Sequence, residues 1–296
     1  MQRLTVDHKT TYAYRTAVKF GDHRLMFRPR DSHDLWLVDA RLTVQPKAEI
    51  LWLHDVFSNS VAIASFNRPS DRLFFRSKIV VDRYPFTEPE FPIEDYARSL
   101  PFSYRASEAP DLGATIECHH AEPRVAEWTH RFLNRVGVTN TEDFLIKITG
   151  AIPEAFTYEE RADPGVQSPV ETLDRGAGSC RDFALFMMEA VRSVGLAARF
   201  VSGYLYDPAI GGFESKISGA GPTHAWLQVH LPGAGWMEFD PTNGSHGGHR
   251  LVPIAVACEP AQAKPVSGTY EGDPQDFLNM TIEVTVRATQ VQHGVS

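Results

Sequence analysis

Cysteine is scarce in this chain, with three residues among 296. An odd and low count argues against the disulfide framework on which small secreted domains depend. No apolar run approaches the roughly 18 residues of a membrane span, and the first residues lack the apolar centre of a signal peptide. The sequence therefore predicts a protein of the reducing cytoplasm with no membrane partner.

An excess of positive charge is also missing. The chain carries 29 Lys and Arg against 37 Asp and Glu, a formal net charge of −8. Lys and Arg are spread along the sequence and form no stripe that could follow a phosphate backbone, so we predict no nucleic-acid partner. The remaining composition, 43% hydrophobic and 22% charged residues, is ordinary for a globular protein, and the length suits two domains.

Alternating apolar and polar residues fill the first 84 positions, which is typical of β-strands. The alternation is clearest from Leu4 to Tyr14, and further strands are predicted at 35–44, 50–57, 61–66 and 73–81. Since no long helical pattern interrupts them, we predict an antiparallel β-sandwich. The expected organisation is a β-sandwich at 1–84, a proline-containing linker at 85–115, an α+β core at 116–250, and a C-terminal extension at 251–296 with a returning strand.

A strongly periodic segment follows Cys180. Its apolar residues recur at the spacing of one helix face: Phe183, Phe186, Met187, Ala190, Val191 and Val194. Ser179 is a suitable N-cap, Asp182 stands where a capping carboxylate belongs, and Gly195 is suited to the helix end. Cys180 is therefore predicted at the first helical position, where free N–H groups and the helix dipole favour the reactive thiolate.

Two further residues fit a cysteine nucleophile. The segment from Ala225 to Leu231 and the segment from Trp236 to Phe239 read as strands, joined by a turn at 232–235. The midpoint between His224 and Asp240 falls in that turn, so the two residues are expected roughly opposite each other on one face of an antiparallel hairpin. A carboxylate there can orient an imidazole whose other nitrogen points at the sulfur.

Each of these residues also has an ordinary structural explanation. Cys180 could be a buried inert thiol, His224 a surface residue at a strand end, and Asp240 a turn initiator before Pro241. A register error of one residue would put the histidine and the aspartate on opposite faces. The three features in this order are less easily explained by chance, so we predict Cys180, His224 and Asp240 as catalytic residues.

The order of these motifs resembles the transglutaminase-like core of bacterial proteins. The residues that carry the resemblance are Gly178-Ser179-Cys180-Arg181-Asp182-Phe183-Ala184, the segment from Gly195 to Tyr204, Thr223-His224-Ala225-Trp226, and Trp236-Met237-Glu238-Phe239-Asp240-Pro241-Thr242-Asn243. The resemblance implies a papain-like α+β core, with the Cys helix packed on an antiparallel sheet, behind an N-terminal β-domain. It also implies thiol chemistry on amides, with Cys180 as nucleophile, His224 as base and Asp240 as the third member.

Two departures from the family pattern concern the substrate. The animal cross-linking branch has Gln before the nucleophile and Trp after it, where this chain has Ser179 and Arg181. Bacterial relatives often read Gly-Arg-Asp-Tyr after the core, where this chain has Ala257-Cys258-Glu259-Pro260. The triad survives both changes, so they bear on which substrate is accepted.

The function expected is acyl transfer from an amide through a thioester, with hydrolysis of a peptide, protein or small amide as the main prediction. Transamidation to an amine is the first alternative, because the same thioester serves both reactions. A non-catalytic binding or scaffold protein on the same fold is the alternative from another class. Thiol acyl transfer needs no metal or organic cofactor, and the sequence makes no prediction of oligomeric state.

Other possible sites have weaker support. His246 and His249 have a metal-ligand spacing, but no cysteine or carboxylate nearby in sequence completes a ligand set. Cys118, with His119 and His120, is expected in a surface loop, and Cys258 is expected to be packed. Trp226 and Trp236 are predicted in the core or in a pocket wall, and Tyr158 is a candidate donor to an oxyanion.

Overall fold

The computed structural model describes residues 1–84, 91–161, 165–206 and 223–290, and it has the α+β architecture that the sequence predicts. The strands are β1 Gln2–Phe20, β2 His23–Arg28, β3 Leu35–Gln45, β4 Ala48–His54, β5 Ser60–Phe66, β6 Ser70–Arg83, β7 Ser99–Leu100, β8 Thr139–Asn140, β9 Thr157–Tyr158, β10 Ala177–Gly178, β11 Ala198–Leu205, β12 Thr223–Leu231, β13 Gly235–Asp240, β14 Ser245–His246, β15 Leu251–Ala257, β16 Val266–Ser267, β17 Tyr270–Glu271 and β18 Phe277–Gln290. The α-helices are α1 Ala109–Leu112, α2 Pro123–His130, α3 Thr141–Ala155, α4 Pro169–Arg175 and α5 Cys180–Arg192.

The N-terminal domain is a sandwich of two antiparallel sheets, as predicted. The long sheet has the order β17-β1-β6-β3 with β18 also on β1, and the short sheet has the order β16-β2-β5-β4. The alternation in β1 places every second side chain against the interior, because successive side chains point to opposite faces. Aromatic and aliphatic residues fill the space between the sheets: Tyr14, Val18, Phe20, Leu25, Phe27, Ala62, Ala64, Leu73 and Phe75.

The C-terminal extension divides between the two domains. β18 runs antiparallel to β1 from the pair Gln2 and Gln290 to the pair Tyr14 and Phe277, and β16 pairs with β2. The chain thus returns to complete the N-terminal sandwich. β15 instead pairs with β11 of the core sheet, so that sheet extends past residue 250 and the domain boundary predicted there falls inside it.

The core is an antiparallel sheet of order β14-β13-β12-β11-β15 with α5 packed on it. Phe183, Phe186 and Met187 of the helix are buried in one cluster with Leu227 and Val229 of the sheet. The segment predicted as a linker packs on this core as well. Its buried residues in the cluster are Ile93, Ala97 and Leu100.

The long sheet of the N-terminal domain packs against the core sheet at β11 and β15. Its apolar residues form a second cluster with β11 and β15: Leu4, Val6, Leu35, Ile79, Val81, Val284 and Val286 against Tyr204, Val252 and Ile254. Asn59, just before β5 of the short sheet, adds a polar contact to β15. Its side-chain amide donates to the carbonyl of Val256 at 2.7 Å and accepts from the N–H of Val256 at 2.9 Å.

No helix in the described ranges is long and apolar enough to cross a membrane.

The hairpin of β12 and β13 folds one position later than the sequence arithmetic assumed. Leu227 pairs with Phe239 and Leu231 with Gly235, so the turn centres on Gly233, whose φ of 92° suits glycine. Continuing this register puts Asp240 opposite Trp226, with His224 two residues farther from the turn on β12. The prediction that His224 and Asp240 lie roughly opposite each other is thus offset by two residues, an even shift that keeps both on one face.

Candidate active site

Cys180 is the first residue of α5 and is partly exposed. The chain enters the helix through β10, which pairs in parallel with β9 so that Gly178 lies beside Tyr158. A side chain at Gly178 would stand 2.9 Å from Cβ of Asp182, closer than such atoms pack, so the approach requires glycine. The helix ends at Arg192, and Gly195 turns the chain with a φ of 87°.

Asp182 anchors the turn that carries Cys180. The residue is 0% exposed, and its Oδ2 accepts from the N–H and the hydroxyl of Ser179, both at 2.8 Å. Its Oδ1 accepts from the N–H of Gln167 at 2.7 Å, and Nε of Arg161 lies 3.4 Å from Oδ2. The sequence predicted the capping contact with Ser179 but missed the longer-range partners that allow the carboxylate to be buried.

His224 and Asp240 meet through a short hydrogen bond. Nε2 of His224 lies 2.8 Å from Oδ2 of Asp240, and both side chains are buried. Cys180 is the other hydrogen-bonding partner of the His224 side chain. The structure therefore brings together the three residues that the sequence predicted, with the imidazole between the carboxylate and the sulfur.

The partners of His224 determine its charge. Burial lowers the pKa of His224, but hydrogen bonds and negative charge from Asp240, and then from Cys180, outweigh burial and raise the pKa to about 10. The imidazole is thus held in its protonated form at neutral pH. An imidazolium beside a sulfur stabilises the thiolate, which is the nucleophilic form of cysteine.

Asp240 is held in place by the turn that follows it. Its Oδ2 accepts from Nδ2 of Asn243 at 2.6 Å, and its Oδ1 accepts from the N–H of Thr242 at 3.0 Å. Burial raises the pKa of Asp240, but the charge and hydrogen bond of His224, with those of Asn243 and Thr242, lower it below its ordinary value. Asn243 is a site residue that the sequence reasoning missed, although it stands in the Asp-Pro-Thr-Asn motif.

The two tryptophans of the hairpin have different positions. Trp226 is completely buried, and its ring stacks on that of His224 with 6.0 Å between centroids and 23° between planes. Trp236 lies farther along the hairpin, where it packs on His230 and on Arg199, whose guanidinium carbon is 4.1 Å from the ring centroid. Trp226 is therefore part of the site, and Trp236 is not.

The weaker candidates lie outside this constellation. His246, on β14, packs on Phe91 and Phe239 with 5.7 and 6.5 Å between ring centroids. His119 and His120 both approach Glu259, and burial raises the pKa of Cys118 and of Cys258. Within the described ranges, no three His, Cys, Asp or Glu side chains are grouped so that they could hold a metal ion.

Two regions of the chain match known protein families. Residues 4–82 match the bacterial transglutaminase-like N-terminal region, and residues 130–241 match the transglutaminase-like superfamily. The second match spans α5, β12 and β13, so it contains Cys180, His224 and Asp240.

Alignments with similar proteins extend over nearly the whole chain. The uncharacterized protein Rv2569c of Mycobacterium tuberculosis is 26% identical over 294 residues, which cover 95% of this chain and 92% of that protein. The uncharacterized protein ML0607 of Mycobacterium leprae is 24% identical over 304 residues, covering 96% and 99% of the two chains. The similarity thus runs through both domains.

A solved structure shares the fold. The crystal structure of a candidate cysteine protease from Cytophaga hutchinsonii superimposes with a TM-score of 0.72 at 18% identity, covering 98% of this chain and 92% of the other. The superposition includes the N-terminal sandwich as well as the core, since almost all of both chains is covered.

Proposed function

Since the chain belongs to the transglutaminase-like superfamily, we propose that it is a cysteine-dependent enzyme acting on amide bonds. Cys180 is the nucleophile, His224 the acid and base, and Asp240 the residue that orients the imidazole. The observation that carries this proposal is the position of the buried His224 ring, which is hydrogen-bonded to Asp240 at 2.8 Å and to Cys180 on its other side.

In the first half of the proposed reaction, the Cys180 thiolate attacks the amide carbonyl carbon and forms a carbon–sulfur bond. The carbonyl electron pair moves to oxygen, and the N–H of Cys180 at the helix start can donate to that oxyanion. The intermediate collapses as the carbon–nitrogen bond breaks, and the imidazolium of His224 gives its proton to the leaving amine. The product is a thioester on Cys180.

In the second half, His224 is neutral and takes a proton from an incoming water molecule. The water oxygen attacks the thioester, the carbon–sulfur bond breaks, and the acid leaves with Cys180 again a thiolate and His224 an imidazolium. Asp240 stabilises the positive ring in both halves. We favour hydrolysis of a peptide, protein or small amide, because it requires only water, whereas transamidation requires a subsite for an amine.

Tyr158 is the candidate for a second oxyanion donor. Its backbone pairs with Gly178, two residues before the nucleophile. Burial and then the nearby charge of Cys180 raise the pKa of Tyr158 to about 12, so its hydroxyl keeps its proton. We expect Tyr158→Phe to lower kcat at least about tenfold with little change in KM, as expected for a donor used in the transition state. A rise in KM of about tenfold with kcat unchanged would contradict this role.

The proposal is tested by profiling peptide and small-amide libraries with the full chain, with and without an added primary amine. Mass spectrometry of the products distinguishes a free acid, which indicates hydrolysis, from a new amide, which indicates transamidation. We expect Cys180→Ala to lose all turnover while keeping its circular dichroism spectrum. Full turnover by that variant would exclude the mechanism, and a wild-type chain that binds peptides without turnover would favour the scaffold alternative.

A further inference from the structure

Trp226 lies between the candidate base and a second carboxylate. One side of its ring system stacks on His224, and its indole N–H donates to Oε2 of Glu238. Asp240 and Cys180 occupy the polar edge of the imidazole, so Trp226 restrains the ring by contact with its flat face. The tryptophan is in turn held by its packing against Val201, Leu251 and Val256 and by its hydrogen bond to Glu238.

Glu238 is held from several sides. Its Oε1 accepts from Nε2 of Gln228 at 2.5 Å, and Oε1 of Gln228 accepts from Nε of Arg199 at 2.7 Å. The charged groups that face the carboxylate are Arg199 on β11, Arg83 at the end of β6, and Asp34 just before β3. Burial raises the pKa of Glu238 to about 7, against the hydrogen bonds from Gln228 and Trp226 and the charge of Arg199.

The N-terminal domain reaches the turn beside this carboxylate through Arg83, which is 5% exposed. Nη1 of Arg83 donates to the carbonyl of Gly248 at 2.9 Å, and Nη2 donates to the carbonyl of Leu251. Gly248 covers Glu238 so closely that a side chain there would stand 2.7 Å from its Cγ. The N–H of Gly247 donates to the carbonyl of Glu238 at 3.0 Å. Arg83 therefore stabilises the turn at Gly247 and Gly248 that packs against Glu238.

We propose that Trp226 and Glu238 are positioning residues for His224, and that Arg83 makes the N-terminal domain a structural part of this unit. The inference rests on the proposed function, since positioning matters only if His224 serves as acid and base. Ionised Glu238 accepts the indole N–H more strongly than neutral Glu238, because a charged acceptor forms the stronger hydrogen bond. The restraint on the imidazole therefore tightens as the pH rises through about 7.

The test is the rate of Cys180 alkylation by iodoacetamide between pH 5.5 and 9, read by peptide mass spectrometry on the folded full chain. We expect Glu238→Gln to slow alkylation at pH 8 by about three- to tenfold, within the range for residues of one hydrogen-bond network. The difference should shrink below pH 6, where Glu238 of the wild type is protonated. Trp226→Phe keeps an aromatic ring but loses the N–H, and it should behave in the same way.

Three controls make the result decisive. Glu283→Gln removes a carboxylate from an exposed pair with Lys9 on the long sheet and should leave the profile unchanged. Arg83→Lys should retain more of the pH 8 rate than Arg83→Met, because it keeps a donor and a charge. Thermal unfolding identifies any variant that fails to fold. If Glu238→Gln does not fold, Trp226→Phe is the variant that tests the inference.

The outcomes separate this inference from the proposed function. Wild-type rates in both folded variants would overturn the positioning role alone, and so would a uniform loss at every pH, which indicates general disruption. A wild-type chain whose Cys180 reacts no faster than Cys118 and Cys258 would overturn both proposals. The expected pH-dependent loss would support the positioning role even if no amide substrate has yet been found.

Discussion

Two buried histidines have opposite environments: His8 lies where the domains meet, and His224 lies on β12 at the candidate active site. His8 of β1 meets two hydroxyls, with Nδ1 2.9 Å from Tyr204 Oη and Nε2 3.1 Å from Thr10 Oγ1. Burial lowers the pKa of His8 to about 4, whereas the partners of His224 raise its pKa to about 10. Burial by itself thus favours the neutral imidazole, and negatively charged partners are needed to keep a buried histidine protonated.

The two histidines contribute to stability with opposite signs of pH dependence. The contribution of His224 is fully present below its unfolded pKa of about 6.5 and is lost as the pH rises through about 10. For His8, the unfolded chain binds a proton below about 6.5 while the folded chain does not until about 4. Stability therefore falls as the pH falls through that window.

The largest effect should come from removing the charge beside His224. In Asp240→Asn the burial of His224 is no longer opposed by a carboxylate, so its pKa falls and the imidazole becomes neutral at lower pH. We expect alkylation of Cys180 at pH 8 to slow on the order of a hundredfold, a typical contribution of a positioned acid or base. Asp174→Asn, which alters an exposed pair with Arg124, is the matched control. Equal rates in the two variants would contradict the assigned role of Asp240.

A smaller effect is expected at His8. Between pH 7 and pH 4.5 the proton linkage of this residue should destabilise the wild type by about 2 kcal/mol. His8→Gln should abolish that part of the acid sensitivity, even if its stability at pH 7 is lower. The measurement is urea unfolding at both pH values, with the exposed His33 changed to Gln as control. The comparison fails if the His8 variant loses as much stability on acidification as the control does.

The smallest effects should come from the other thiols. Burial raises the pKa of Cys118 and Cys258, so both should be alkylated far more slowly than Cys180 at pH 7. We expect Cys118→Ala to leave the Cys180 rate unchanged and to alter unfolding by less than about 1 kcal/mol, as is usual away from a site. Faster alkylation of Cys118 than of Cys180 in the wild type would reverse this ranking.

Local patterns explain the success of the sequence predictions. The apolar spacing after Cys180 and the Ser179–Asp182 cap lie within one helix, and each depends only on neighbouring residues. The alternation in β1 fixes which side chains face inward without knowledge of the partner strand. The motif order around Cys180, His224 and Asp240 indicated the superfamily, which the family matches confirm. The catalytic roles of the three residues stay predictions.

Predictions that depended on distant residues were less accurate. The exact register of β12 and β13 depends on the conformation of the turn around Gly233. The midpoint between two sequence positions contains no information about that conformation. The segment after residue 250 divides between two domains because β15 pairs with β11 and β18 pairs with β1. The pairing of β18 with β1 joins residues more than 250 positions apart, and that of β15 with β11 joins residues more than 40 apart. No local pattern specifies either pairing.

The sequence by itself determined the Cys180 helix, the sandwich strands and the common face of His224 and Asp240, because periodicity and capping act over a few residues. Only the tertiary structure decided the protonation of His224, the burial of Asp182 and the reach of Arg83 to the turn over Glu238. These properties depend on charge, desolvation and hydrogen bonds between groups that the fold alone brings within a few ångströms.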